Sequence, residues 1–151
     1  MGSPMDSNVS GERILALDVG ERRIGVALSD PTGLLATPLK AIDRTRSPSA
    51  VSEIVRLVDE HGACEIVVGL PTSLSGRAGT QVRRVKMFVD ALADQTSVPV
   101  VLQDERYTSV QAERLLREAG RQPSRDKGRV DSAAAALILQ SHLDSRRTGS
   151  G

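Results

Sequence analysis

The sequence predicts an α/β fold built on one five-stranded mixed sheet with helices on both faces. Three observations predict it. Short apolar runs joined by tight turns open the chain. Apolar stripes at helical spacing then alternate with further short runs, and the 151-residue length suits one domain. Sequential strands on tight turns must pair antiparallel, because parallel neighbours need a crossover of about a dozen residues or more. The later strands, each reached through a helix, are expected to run parallel with right-handed crossovers.

The first strand covers residues 14–19, an apolar run that carries Asp18 near its end and closes on Gly20. Residues 24–28 form the second, and the intervening Gly20-Glu21-Arg22-Arg23 makes the pair a hairpin. A third is expected over residues 34–41, after the turn Asp30-Pro31-Thr32-Gly33. Ser47-Pro48 then reads as an N-cap followed by proline at the first helical position. Val51, Ile54, Val55 and Val58 make the stripe of that helix, and His61-Gly62 ends it. Residues 65–70 are continuous enough for a strand buried on both faces. A loop over 71–79 leads to a helix over 80–93 with the stripe Val82, Val85, Val89 and Leu92, and residues 98–102 form the fifth strand. Thr108-Ser109-Val110-Gln111 is a capping box opening a helix that reaches Gly120. An alanine-rich helix over 130–143 completes the order βββ-α-β-α-β-α-α.

Composition narrows the function. One Phe, one Tyr and no Trp mean an aliphatic core and no base-stacking platform, so any nucleic acid must be gripped mainly by its phosphates. The lone Cys64 excludes an intramolecular disulfide and a multi-cysteine zinc site, fits a reducing, cytoplasmic setting, and reads as a buried inert thiol. No stretch approaches the roughly 20 apolar residues of a membrane helix, and no signal peptide is recognisable. The opening Met1-Gly2-Ser3-Pro4-Met5 reads as an added leader before a second start. A single domain is expected over residues 12–145, with disordered termini at 1–11 and 146–151.

Three acidic positions sit where this architecture would gather them. Asp18 ends the first strand, Asp104-Glu105 follows the fifth, and Asp131 lies in the first turn of the last helix on its sheet-packing side. In open α/β sheets the site lies outside the carboxyl ends of the strands. Gathered carboxylates repel one another and suit hard divalent cations, so Mg²⁺ or Mn²⁺, as a pair of ions, is the natural partner. Pleat alternation allows only one of Asp104 and Glu105 to face such a site, and does not choose between them. Each acid also has a bland reading as a turn or helix-start residue; Asp18 stands out because it interrupts an apolar run.

These residues carry a family resemblance. The run from Leu17-Asp18-Val19-Gly20 to Ala27-Leu28-Ser29-Asp30 resembles the opening motif of the YqgF/RuvX family, ribonuclease-H-like bacterial proteins described as candidate Holliday junction resolvases and candidate pre-16S rRNA nucleases. Val67-Val68-Gly69-Leu70-Pro71 is similar to its second motif, Asp104-Glu105-Arg106-Tyr107-Thr108-Ser109 to its third, and Lys127 through Asp131-Ser132-Ala133-Ala134 to its fourth. The resemblance spans about residues 13 to 144 and departs only at Tyr107, where an aliphatic residue is commoner, and in the variable loop after Pro71. It implies a ribonuclease-H-like fold and a metal-dependent nuclease with Asp18, Glu105 and Asp131 as catalytic and metal-binding acids. It also selects Glu105 over Asp104. The substrate implied is structured RNA, at the 5′ end of pre-16S rRNA, or branched DNA such as a Holliday junction, handled by a monomer or weak homodimer.

Basic residues surround the motifs. Arg22, Arg23, Arg106, Lys127 and Arg129 are expected to form a phosphate-binding rim around the acidic centre. Arg83, Arg84 and Lys86 read instead as a solvent face, and His61 and His142 as cations near helix C-termini. Two rival readings compete with this one. A kinase or actin-like ATPase shares the Asp-Val-Gly loop but needs two such domains, which 151 residues do not supply. A non-catalytic nucleic-acid or ribosome-assembly factor could keep the fold, although clustered carboxylates are costly without a cation.

Overall fold

A computed structural model of the chain describes residues 13–45, 49–70, 77–104 and 132–149. Strands β1 (Arg13–Val19), β2 (Arg23–Ser29) and β3 (Ala36–Asp43) are followed by α1 (Ala50–His61), β4 (Ala63–Leu70), α2 (Arg77–Gln95), β5 (Val100–Asp104) and α3 (Ala133–Gly149). The sheet order is β3-β2-β1-β4-β5. The β1–β2 and β2–β3 pairs are antiparallel, and β4 lies parallel to both β1 and β5, so β1 and β5 run in the same direction. The expected helix between the capping box at 108–111 and Gly120 lies outside the described residues.

Alternation along the strands splits the core in two. Leu15, Leu17, Val19, Ile24, Val26, Ile66 and Val68 face α1 and α2, where Ile54, Val58, Val85, Phe88 and Leu92 close the larger core. Ile14, Ala16, Ala27 and Val67 face α3 and meet Ala135, Ala136, Ile138, Leu139 and Leu143. The second interface is rich in alanine, which lets the helix lie close to the sheet. Three buried polar side chains tie this layer to strand backbone. Ser29 Oγ accepts the Ile14 amide at 2.8 Å, and Ser132 Oγ accepts the Val26 amide at 2.9 Å. Gln140 Oε1 accepts the Ala36 amide at 3.0 Å while its Nε2 donates to the Leu34 carbonyl at 2.9 Å.

Several local expectations shift. The N-cap of α1 is Ser49, whose side chain accepts the Ser52 amide, two residues later than the expected Ser47. Gly62 ends α1 as expected, at φ 66° and ψ 37°, with its amide on the Val58 carbonyl. Leu34 and Leu35 belong to the turn and not to β3: both amides donate to Asp30 Oδ1, which prolongs the turn, and both side chains are exposed. Cys64 is exposed, because a register shift beside Arg13 and Ile14 makes it the extra residue of a bulge. α3 begins three residues later than expected and continues past Leu143, with Arg146 donating to Glu65 Oε1 at 3.0 Å. His142 therefore lies mid-helix and not near a C-terminus.

Candidate active site

Asp18 is the last α3-facing residue of β1, following Ile14 and Ala16 along the same side. It is mostly buried, and burial raises its carboxyl pKa above the ordinary aspartate value. Among the described residues nothing offsets that cost: no hydrogen bond and no cation acts on the carboxylate. Its cross-strand partner on β2 is Gly25, which adds no side chain beside the carboxylate. A desolvated oxygen donor with no partner among the described residues is chemically suited to a hard cation.

The turn beyond Asp18 is held tightly. The Gly20 amide donates to the Arg23 carbonyl at 2.9 Å, and a Cβ on Gly20 would stand 2.8 Å from that same oxygen. Glycine is required here by close approach, since the position does not have positive φ. Arg44 braces the turn from outside, its amide on the Arg22 carbonyl and its Nη1 on the Gly20 carbonyl, both at 2.7 Å. Arg22 and Arg23 are exposed at the hairpin, and alternation places Arg23 on the side of Gly25 and Asp18.

β5 supplies the next part of the geometry. Gly69 aligns with Gln103, and Leu70 with Asp104. Gln103 faces α3, with its Oε1 3.4 Å from His142 Nδ1, so Asp104 points to the opposite side of the sheet from Asp18. Asp104 and Asp18 are thereby separated. Glu105, Arg106, Lys127, Arg129 and Asp131 lie outside the described residues. Among the described residues, no three His, Cys, Asp or Glu side chains gather closely enough to hold a metal. What the structure does fix is the start of the last helix. Ser132 is fully buried, its carbonyl accepts the Ala136 amide at 3.0 Å, and its hydroxyl is pinned to Val26, one residue from the Gly25 that faces Asp18.

Ser132 is a site-shaping residue that periodicity missed. A small polar residue at the head of an alanine-rich helix reads as an ordinary cap, and only the fold reveals that it grips the sheet. A second polar cluster lies farther along the same layer. His142 Nε2 is buried without a hydrogen bond, 3.8 Å from Glu65 Oε1, and burial lowers its pKa, opposed by Glu65 and reinforced by Arg146.

Known proteins share the sequence pattern and the fold. The sequence profile of the RuvX family, described as Holliday junction resolvase, matches residues 12–145. A protein of Chloroflexus aurantiacus named as a candidate pre-16S rRNA nuclease is 49% identical over 135 residues, covering 89% of this chain and 88% of the relative. One from Mycobacterium ulcerans with the same name is 46% identical over 140 residues, covering 92% and 82%. Among solved structures, Thermus thermophilus RuvC bound to a Holliday junction superposes with a TM-score of 0.64 at 15% identity, covering 93% of this chain and 98% of that one. The fowlpox virus resolvase bound to junction DNA gives 0.55 at 11% identity. At these identities the structural likeness speaks for the fold alone, which is ribonuclease-H-like.

Proposed function

The chain belongs to the RuvX family, and from that membership we propose that it is a divalent-metal-dependent nuclease acting on structured nucleic acid. Asp18, Glu105 and Asp131 are its catalytic and metal-binding acids. The observation that carries this reading is the desolvated Asp18 carboxylate at the carboxyl end of β1, without a hydrogen bond or cation among the described residues, beside the pinned start of α3. Asp131 is covalently next to Ser132, so its backbone lies within about 4 Å of that anchor. Asp104 faces away from Asp18, and the acid that the family motif names is the following one, Glu105.

When bound, Mg²⁺ or Mn²⁺, most simply as a pair, would supply charge stabilisation for the attacking and leaving oxygens of phosphodiester hydrolysis. The protein's part is to hold the three carboxylates in place and to orient the substrate backbone through Arg22, Arg23, Arg106, Lys127 and Arg129. The relatives' names point to the 5′ end of pre-16S rRNA, and the family description to Holliday junctions, as substrates. The absence of a stacking platform favours recognition by shape and backbone over base sequence. A cytoplasmic monomer or weak homodimer suits the single cysteine and single domain.

The test is a cleavage panel with labelled junction DNA, single-stranded DNA and precursor rRNA, with Mg²⁺ and with Mn²⁺. Asp18→Asn, Glu105→Gln and Asp131→Asn should each abolish hydrolysis, and Asp18→Asn should abolish thermal stabilisation by metal. Full activity in EDTA, or in all three variants, would refute the assignment.

A further inference from the structure

Beside the β1–β2 turn, on the opposite side of the sheet from α3, an open groove of about 660 Å³ runs between α1 and α2. Arg44, Arg83 and Arg84 line it, together with Ser49, Met87 and Phe88. Among its described lining residues there is no carboxylate. Arg83 and Lys86 are exposed as the expected solvent face requires, and Arg83 and the half-buried Arg84 also border one open concavity with Arg44. Arg44 lies over the Phe88 ring at 5.4 Å, so a buried aromatic orients one of the cations. Ser49 is the N-cap of the 12-residue α1, whose positive dipole end faces the same space. Met87 is 70% exposed and offers a polarizable apolar surface among the guanidiniums.

The groove lies beside the turn that follows Asp18 in the chain, across the sheet from the α3 side. Arg44 Nη1 contacts the Gly20 carbonyl at 2.7 Å, and Gly20 follows Asp18 by two residues, about 7 Å of chain at most. At about 3.4 Å of rise per nucleotide, a strand crossing the turn would reach the groove within roughly three nucleotides. Glu21, exposed at the rim, pairs with Arg84 at 3.2 Å, a surface contact that a polyanion can displace.

We propose that this groove binds the phosphodiester backbone of a nucleic-acid arm leaving the active site over the β1–β2 turn, with Met87 against its bases. The proposal rests on the nuclease reading and adds to it a second contact zone that sets which branched substrates fit. An anionic strand meets the three guanidiniums and the α1 terminus, and takes the place of Glu21 on Arg84.

The test uses the full chain with two labelled branched substrates, one with a single-stranded arm of about ten nucleotides and one with that arm removed. Arg83→Ala/Arg84→Ala should weaken binding of the armed substrate on the order of tenfold and reduce its salt slope by about 1.4. Affinity for the armless substrate should stay within a factor of about two. A photoreactive base in the arm should crosslink to the α2 peptide containing Met87. Equal losses on both substrates, or none on either, would overturn the groove while leaving the nuclease reading in place. Failure of the wild-type chain to bind any of these nucleic acids would overturn both. Self-association of the wild-type chain that Met87→Glu abolishes, without an arm effect, would assign the groove to a second copy and overturn the proposal.

Discussion

Ser132→Ala, compared with Ser29→Ala, separates stability from site geometry. Each serine is buried and accepts one strand amide, from Val26 at 2.9 Å and from Ile14 at 2.8 Å. Alanine removes the acceptor and leaves a buried N–H without a partner, at about 1–3 kcal/mol in either case. For a chain of this length that corresponds to roughly 2–4 °C in Tm per kcal/mol. The two bonds differ in where they act. Ile14 lies four residues before Asp18 on β1, about 13 Å along the strand, whereas Ser132 adjoins Asp131 and holds the start of α3 beside Gly25. A misplacement of a metal-binding carboxylate by about 1 Å costs on the order of 100-fold in rate. Both variants should therefore melt at similarly lowered temperatures, measured by thermal and urea denaturation. Well below those temperatures Ser132→Ala should lose about two orders of magnitude in kcat and bind metal more weakly, while Ser29→Ala should keep wild-type kcat. Ser132→Thr, which retains the hydroxyl, should recover part of the loss. Equal kcat in the two alanine variants would refute the view that the α3 start positions the site, whatever their stabilities.

Two further outcomes are expected. Gly20→Ala should cost about 1–3 kcal/mol and distort the turn that carries Asp18, since the added Cβ would stand 2.8 Å from the Arg23 carbonyl; denaturation midpoints check it, and an unchanged midpoint would show that the turn can open without cost. His142 has a lowered pKa in the folded chain, so between that value and the ordinary histidine range the unfolded chain binds the extra proton; stability should fall as the pH drops below about 6.5, and His142→Gln should remove that part of the dependence in a pH series of melting curves.

The strands and stripes were legible because they follow from period alone. Val51, Ile54, Val55 and Val58 pack as their spacing requires, and Val85 and Leu92 are buried as the α2 stripe predicts. The hairpin at Gly20 and the helix stop at Gly62 were legible from glycine chemistry. Leu34 and Leu35 misled because apolar character outweighed the Asp30 carboxylate, which captures both of their amides and extends the turn. Cys64 misled because the usual burial of a free cysteine beside an apolar run gives way to a bulge that leaves it exposed. At the site, Asp18 was visible as a carboxylate inside an apolar run. The choice of Glu105 over Asp104 came from the family resemblance and not from alternation; the contact of Gln103 with His142 turns Asp104 away from Asp18, and Glu105 lies outside the described residues. The convergence of Arg44 with Arg83 and Arg84 was illegible because it depends on how α1 and α2 lie against the turn.

The alanine-rich contact under α3 has a consequence for registration. Ala135 and Ala136 against Ala16 and Ala27 make a smooth surface, with few protrusions to resist a helix sliding or rolling by a fraction of a turn. Close approach alone would leave the helix cohesive but poorly indexed. Ser132 and Gln140 supply the index, two fixed points about 12 Å apart along one helix, gripping β2 and the approach to β3 respectively. Two points define both the axial position and the rotation of a rod. An inserted or deleted residue between them would force one grip to release, turning the helix by about 100° and swinging whatever precedes Ser132 away from the edge where Asp18 waits.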